Sequence, residues 1–443
     1  MKHTVCMVLA LAIFCSFLGC NEGTAESYEM ISEPSSAFSV SSNIPEKNNV
    51  IEPEQSVLSN WKEDILFFQE TCKQDGPGLF YRHSEDFFDD QIDRLLQDLD
   101  EIPRDSFILF RLKEILASMN DAHANFDIFS EAIHNRKFPF FVENFGSDLY
   151  FTYCAKDTAC EPYLGMRLVR VNKADIHLVS NKIAKLISSE QNEYSIRNSI
   201  PEYLKPEILD YVCFELELPL IESYEFTVVD EEGRTYTFQE SAYPYDEELE
   251  YIRLGSGKPL YQQNWEQNWL HYDAKNHILY VALNNFLDTD PDSYVLLSDE
   301  MEDYFKNEDV SAVFLDMRNN YGGNGNMDQS IHSALYNYRG KVYIGIGGNT
   351  MSAGVTSVVK MKNKAAERKN EVILIGEPTG QYSSFWAQAE KHTMPHSGID
   401  FWMSTRLTRS ALKEDGSEID PETGKVPVWR NAIFPDIYII QYN

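Results

Sequence analysis

Apolar and polar positions divide the chain into regions of different character. From residue 276 onward, short apolar runs rich in β-branched residues alternate with longer amphipathic stretches. The runs HILYVALNNF, SAVFLDM, KVYIGIG and EVILIGE have the length and composition of buried strands. The stretches between them, such as SYVLLSDEMEDYFKN and SAGVTSVVKMKNKAAERK, have a helical period. This alternation predicts an α/β fold with a largely parallel, helix-covered sheet.

The preceding part of the chain has a different pattern. In residues 58–119, apolar residues recur at three- and four-residue steps, with Ser or Asp at plausible caps, which predicts successive helices. Residues 137–240 mix strand-like runs such as FPFFVENF, DLYFTY and MRLVRVN with one helical stretch. YEFTVVDEEGRTYTF predicts a β-hairpin. Residues 240–265 contain several Pro, Gly and Tyr residues and are expected to form a linker.

Two loops in the C-terminal half carry the candidate chemistry. Each follows an apolar run, in VFLDMRNNYGGNGN and in VYIGIGGNTMSAGVTSVVKMK. The second places Ser352 at the start of a predicted helix, near unpaired backbone N–H groups and the positive end of the helix dipole. Gly322 and Gly323 have no Cβ, so their backbone can approach another loop closely. A hydroxyl beside an open backbone loop suits acyl transfer, which needs a nucleophile and an oxyanion site.

Residues 1–20 form a candidate export signal. A positive residue near the start precedes an apolar run that is too short for an ordinary membrane span. The run ends in FLGC, which resembles a bacterial lipobox and predicts lipidation of Cys20, although Phe17 stands where that pattern prefers Leu. A plain signal peptide is the alternative. Residues 21–57 are rich in Ser, Glu, Asn and Pro and are expected to form a flexible tether in the cell envelope.

Charge and cysteine content exclude several classes of partner. The 443-residue chain has a formal net charge of −32, which argues against binding to nucleic acid or to an anionic membrane surface. The cysteines lack the paired spacing of zinc sites, and no metal or cofactor is expected. Cys154 and Cys160 flank a short segment; a disulfide between them and two buried free thiols are equally open alternatives.

Five motifs in order resemble one enzyme family. NDAHANF, LDMRNNYGGN, NTMSAG, ILIGEPTG and FPDI resemble the signatures of the C-terminal processing (tail-specific) serine peptidases. The similarity is closest to the tricorn-core-like and retinoid-binding-protein-like branch. It implies a crotonase- or ClpP-like βαβ core over residues 246–443 and a PDZ-like α+β module over 137–245. An N-terminal helical region would occupy residues 58–136.

The resemblance also implies roles for individual residues. Ser352 occupies the position of the family's nucleophile, and the alternative is that it only caps a helix. His123 is the candidate general base, and the alternative is a hydrogen-bonded structural histidine. The backbone N–H of Ala353 would form the oxyanion site together with that of Gly322 or Gly323.

The catalytic set departs from the family pattern in several places. Ala122 and Ala124 replace hydroxyl residues on either side of the candidate base. No Lys stands at the position of the Ser–Lys branch, and we expect the side chain of Lys360 to point to solvent. Gln388 is the best positional match for the acid that orients His123, with Glu377 and Glu390 as alternatives.

Two functions from different classes follow from these motifs. The first is an extracytoplasmic serine endopeptidase that hydrolyses polypeptides without a cofactor and is held to the membrane only by its lipid anchor. The second is an inactive peptide-binding lipoprotein of the same fold, which the departures from the family pattern favour.

Overall fold

A computed structural model describes most of the chain after residue 54. The residues described are 55–81, 83–130, 133–188, 192–220, 222–255, 259–287, 291–368, 371–409 and 432–439. The predicted signal peptide, Cys20 and nearly all of the predicted tether lie outside them. Within these ranges, no helix is long and apolar enough to cross a membrane.

The helices of the described residues fall into two groups, one in the first half of the chain and one around the parallel sheet. The first group comprises α1 Gln55–Asp75, α2 Glu85–Asp98, α3 Asp105–Ser118, α4 Ile176–Ile183, α5 Glu193–Tyr203 and α6 Pro206–Glu215. The second group comprises α7 Pro291–Asn307, α8 Gln329–Asn337 and α9 Ala353–Arg368. The predicted helices of residues 58–119 are confirmed, and the Ser84 hydroxyl caps α2 by accepting a hydrogen bond from the Phe87 N–H.

The described strands form four sheets. Those of the first half are β1 Asn125–Phe126, β2 Arg136–Lys137, β3 Phe140–Phe145, β4 Asp148–Ala155, β5 Arg167–Val171, β6 Ala174–Asp175, β7 Ser223–Val229, β8 Thr235–Ser241, β9 Tyr243–Pro244 and β10 Tyr251–Arg253. Those of the second half are β11 Trp269–Asp273, β12 Ile278–Ala282, β13 Ala312–Asp316, β14 Lys341–Ile346, β15 Val372–Gly376, β16 Ser384–Thr393, β17 Asp400–Arg409 and β18 Ile437–Tyr438. The predicted hairpin is β7–β8.

A six-stranded sheet organises the second half of the chain. Its order is β11-β12-β13-β14-β15-β18, and every pair from β12 to β18 is parallel. The predicted parallel sheet is therefore confirmed. Its central strands are buried on both faces, which explains why their sequences are continuous apolar runs. Along β13, Val313 and Leu315 join the core that includes side chains of α7, α8 and α9, while Phe314 belongs to the core on the other face.

The first half of the chain shares one hydrophobic core. Side chains of α1, α2 and α3 pack in the same cluster as those of a seven-stranded sheet built on β10-β4-β5-β7-β8. Strand β10 lies inside the predicted linker and pairs with β4. Helices α5 and α6 were not expected from the pattern, because Pro201 near the end of α5 and Pro206 at the start of α6 interrupt it.

The C-terminal hairpin β16–β17 contacts elements from the first half of the chain. Strand β1 pairs with β17, so that Phe126 lies opposite Phe401. The turn of the hairpin is held by Asp64 of α1, whose carboxylate accepts hydrogen bonds from the backbone N–H groups of His396 and Ser397, each at 2.8 Å. The pairing of β1 with β17 therefore holds the loop between α3 and β1 next to the hairpin β16–β17.

The four cysteines of the described residues are free thiols. Cys72, Cys154, Cys160 and Cys213 are all buried. The Cys154 thiol donates a hydrogen bond to the backbone carbonyl of Cys160 at 3.4 Å. Of the two alternatives drawn from the sequence, the structure therefore shows the buried free thiols.

We expect Asp64→Ala to lower the free energy of unfolding by about 2–4 kcal/mol, because it removes two hydrogen bonds to a buried carboxylate. The matched control is Glu63→Ala, which removes a largely exposed ion pair with His396 and is expected to cost at most about 1 kcal/mol. Urea denaturation followed by circular dichroism measures both changes. Equal stability of the two variants would contradict the anchoring role of Asp64.

Candidate active site

Ser352 stands at the junction between the loop after β14 and the first residue of α9. Its backbone has a φ of 47°, a left-handed conformation that is unusual for a residue other than glycine. The Ser352 N–H donates to Oε1 of the fully buried Gln381 at 2.7 Å. The loop before it is held by Thr350, whose hydroxyl donates to the Met317 carbonyl at 2.8 Å. These bonds fix the direction of the Ser352 side chain.

His123 lies in the loop that connects α3 to β1. The carboxylate of buried Asp121 accepts hydrogen bonds from the N–H groups of His123 and Ala124, at 3.0 and 3.1 Å, and from the Ser404 hydroxyl at 2.8 Å. The His123 ring stacks on Phe385 of β16, with 5.3 Å between ring centroids and 14° between planes. A short turn and an aromatic surface therefore orient the imidazole.

The structure brings His123 and Ser352 together across 229 positions of sequence. Nε2 of His123 lies 3.0 Å from Oγ of Ser352, so the hydroxyl pairs with the imidazole and not with the first turn of α9. Burial lowers the pKa of His123 to about 4, against an opposing effect of the nearby Trp386 backbone carbonyl. The imidazole is therefore neutral at neutral pH, the state in which it accepts a proton from a hydroxyl.

The Gly322–Gly323 loop lies directly against Ser352. A Cβ on Gly322 would stand 2.7 Å from the Ser352 Cβ and 2.8 Å from the Ala353 nitrogen, so glycine is required there. The Gly322 N–H donates to the Asn320 side chain at 2.9 Å and is not available to a ligand. The Gly323 and Ala353 N–H groups have no hydrogen-bond acceptor in the described part of the chain. Of the predicted oxyanion donors, these two remain.

The predicted partner of His123 does not reach it. Gln388 is exposed, has a φ of 56° and interrupts the pairing of β16 with β17. Nδ1 of His123 is buried and has no hydrogen-bond partner of regular geometry among the described residues, although the Trp386 backbone carbonyl is near enough to oppose the lowering of the ring's pKa. Glu377 instead binds Arg197 at 2.6 Å, and Glu390 lies on the exposed part of β16. Within the described part of the chain, the geometry thus shows a Ser–His pair without an orienting carboxylate.

Helix α5, which the sequence pattern did not reveal, packs onto the loop that carries Ser352. Asn192 caps this helix, and its side chain also donates to the Thr379 carbonyl. The Ser195 hydroxyl lies 3.4 Å from the Met351 sulfur. Gly348 has no room for a side chain, because a Cβ there would lie 2.6 Å from the Tyr194 carbonyl oxygen. The recurrence of Gly after β14 was the available sequence signal for this close packing.

A second Ser–His–Asp group lies behind the first, in the packing between α8 and α9. Nε2 of His332 lies 2.9 Å from Oγ of Ser357 and 3.3 Å from Oδ2 of Asp328. All three side chains are 3% exposed or less, so no substrate reaches them, and their role is to join the two helices. Contrary to expectation, Lys360 does not simply point to solvent, because its ammonium group donates to the Gly325 carbonyl at 2.8 Å and lies 3.4 Å from Asp328.

We expect Lys360→Met to loosen the Gly322–Gly325 loop, because it removes the hydrogen bond that ties the loop to α9. Hydrogen exchange read by mass spectrometry should then be faster in peptides that cover this loop. Lys362→Met is the control, since Lys362 pairs with the exposed Asp436, at 3.3 Å, and not with the Gly loop. Unchanged exchange of the loop in Lys360→Met would show that the tether is not needed.

Comparison with known proteins shows the fold. No protein-family model and no curated protein matches the chain, whereas 36 chains of solved structures do. Mature CPAF has a TM-score of 0.58 at 12% identity, over 87% of this chain and 93% of that one. CPAF complexed with lactacystin has a TM-score of 0.56 at 11% identity, over 87% and 94%. A photosystem II D1 C-terminal processing protease has a TM-score of 0.39 at 11% identity, over 86% and 93%.

The superposition on mature CPAF supports the predicted α/β architecture. Identity this low shows a shared fold and no activity. The crotonase- or ClpP-like description of the core, the PDZ-like description of residues 137–245 and the division into domains remain predictions. The chain shares the α/β fold of mature CPAF.

Proposed function

We propose that the protein is a serine peptidase that uses Ser352 as nucleophile and His123 as general base. The observation that carries this proposal is the 3.0 Å contact between Nε2 of His123 and Oγ of Ser352, with the histidine neutral and the hydroxyl next to the Gly322–Gly323 loop. A neutral imidazole in hydrogen-bond contact with a hydroxyl is the arrangement that activates it for attack on a carbonyl carbon.

The proposed reaction has two steps. Oγ of Ser352 attacks the scissile carbonyl carbon while its proton passes to Nε2 of His123, and the carbonyl oxygen becomes an oxyanion that the Gly323 and Ala353 N–H groups stabilise. The carbon–nitrogen bond then breaks, the amine leaves with the proton from His123, and an acyl-enzyme remains. Water releases the acyl group by the same path, with His123 again accepting and returning the proton.

The surface beside the pair supports a polypeptide substrate. Tyr321 and Leu287 adjoin the Gly loop and are 54% and 53% exposed, and they offer apolar contacts to substrate side chains. CPAF, which shares the fold, has been solved in complex with lactacystin. A ligand site on this fold in CPAF is consistent with the proposal of a peptide site here.

The missing carboxylate sets the expected rate. No charged partner of Nδ1 lies among the described residues, so on this geometry no carboxylate stabilises the imidazolium in the transition state; the loss of that group costs on the order of 10⁴ in the best-studied triad. Stacking on Phe385 replaces the orienting effect but not the charge. The enzyme is therefore proposed to be slow, because only His123 and the oxyanion site accelerate the reaction.

We also propose, from the sequence only, that the protein is exported and anchored through a lipid on Cys20. The FLGC ending of the apolar run and the polar segment after it support this. The full-length protein should partition into the detergent phase, and Cys20→Ser should move it to the aqueous phase. Equal partitioning of both proteins would leave a plain secretory signal.

We expect Ser352→Ala to reduce peptide cleavage to background while the fold is retained. The matched control is Ser357→Ala, which removes the hydroxyl of the other Ser–His contact and should retain cleavage per folded molecule, because Ser357 is fully buried. Both variants are assayed on a mixed peptide library by mass spectrometry, with circular dichroism as the check on folding.

Two outcomes would contradict the proposed activity. Full cleavage by a folded Ser352→Ala protein would remove Ser352 from the mechanism. A folded wild type that binds library peptides but cuts none would identify the protein as an inactive peptide-binding protein of this fold, the alternative favoured by the lack of a carboxylate at Nδ1 among the described residues.

The pH at which the rate changes should report the pKa of His123, which burial lowers. The base works only when neutral, so activity should rise through about pH 4 and be level from pH 5 to 8, whereas an exposed histidine would give a limb near its ordinary pKa of about 6.5. Phe385→Ala, which opens the ring to water, should move the limb upward.

Stability has to be followed in the same experiment. A histidine whose pKa is lowered in the folded protein takes up a proton first in the unfolded chain, so the fold loses stability as pH falls from about 6.5 toward about 4. Circular dichroism at each pH separates this loss from titration of the base. A limb between pH 6 and 7 in a fully folded wild type would contradict the neutral, buried His123.

A further inference from the structure

A cavity of about 220 Å³ opens at the carboxyl ends of the parallel strands. Its walls include the residues that directly follow β13, β14 and β15, namely Arg318, the Gly347–Asn349 segment and Glu377. Helix α5 and strand β3 close it from the other side through Asn198 and Glu143. The carboxyl edge of a parallel sheet is where open α/β folds bind their ligands, because the loops there vary independently of the strands.

Arg318, the cation of the cavity wall, and Arg197, which does not line the cavity but contacts Glu377, are both paired with carboxylates. Arg318 forms a buried ion pair with Asp316, with Nε 2.9 Å from Oδ1, and its guanidinium stacks 4.5 Å above the ring of Tyr261. Arg197 donates to Oε2 of Glu377 at 2.6 Å. An anionic ligand would have to compete with these internal carboxylates for both arginines.

Two acceptor atoms of residues that line the cavity have no hydrogen-bond donor among the described residues. Glu377 is only 8% exposed, and its Oε1 has no hydrogen-bond partner among the described residues. The side-chain Oδ1 of Asn349 is buried and likewise has none among them. A buried carboxylate oxygen and a buried amide oxygen without donors are costly to leave unsatisfied. A ligand that brings N–H donors on a positive charge would satisfy both.

We propose that this cavity binds a guanidinium group, with Glu377 and Asn349 as its hydrogen-bond acceptors. A guanidinium carries several N–H donors in a planar fork that matches a carboxylate, and its short alkyl stem fits the apolar wall at Ile346 and Ile439. The net charge of −32 favours the approach of a cation. The site is separate from the contact between His123 and Ser352, and the proposal does not depend on peptidase activity.

Isothermal titration calorimetry with N-propylguanidinium, and with N-propylurea as a neutral compound of the same shape, tests the proposal. We expect saturable binding of the guanidinium by the wild type and at least tenfold weaker binding of the urea. Glu377→Gln should weaken guanidinium binding by roughly tenfold or more, because a hydrogen bond to a charged group is lost. The control is Glu390→Gln, since Glu390 is exposed and does not line the cavity.

The source of the guanidinium is distinguished with peptides. Ser352→Ala protein, which would not cut them, is titrated with a peptide that contains arginine and with the same peptide containing citrulline. Preference for the arginine peptide assigns the cavity to a polypeptide side chain, and binding of N-propylguanidinium alone assigns it to a small cation.

Folding is controlled with a second variant. Asn349→Leu leaves the pair between Glu377 and Arg197 intact and should also weaken binding, which keeps the test open if Glu377→Gln unfolds. Three results would overturn the proposal: no saturable binding of N-propylguanidinium or of the arginine peptide by folded protein, equal binding of N-propylurea, or unchanged binding of N-propylguanidinium by a folded Glu377→Gln or Asn349→Leu protein.

Discussion

The candidate site depends on a steric constraint, the close approach of the loop after β13 to the loop after β14. Gly322 can lie against Ser352 only because it has no Cβ and has a φ of 101°. Asn320, which is fully buried, holds this approach: its carbonyl accepts the Met351 N–H, and its side chain donates to the Leu283 carbonyl. One residue therefore connects the ends of three neighbouring strands. This arrangement sets the positions of the oxyanion donors relative to the nucleophile Ser352.

Much of this half of the site could be predicted from the sequence. Parallel strands end at the same edge of a sheet, so two loops that follow neighbouring strands must meet there. The apolar runs identified β13 and β14, and the glycines between them and their helices indicated close packing. The pattern did not show which N–H groups are free. The answer depends on the Asn320 side chain, which accepts the hydrogen bond of the Gly322 N–H. A local hydrogen bond of this kind does not affect the periodicity of apolar residues in the sequence.

The other half of the site could be located from a motif but not described. His123 comes to Ser352 because β1 pairs with β17, a contact between segments that are remote in sequence. Its low pKa results from burial by side chains such as Phe385, which no motif reports. Gln388 was expected to orient the base by position alone. It lies instead where β16 and β17 lose their pairing for one residue on each strand, with a left-handed backbone conformation and its side chain exposed.

The central claim is that Ser352 is the activated hydroxyl of this molecule and that His123 activates it. The most direct measurement is the rate of covalent reaction with a fluorophosphonate, with the modified residue located by peptide mass mapping in the wild type and in His123→Ala. We predict a single adduct on Ser352 in the wild type and a reaction slower by about 10²–10⁴ in the variant, the range typical for the loss of a general base. An adduct on another residue, or equal rates in two folded proteins, would contradict the account.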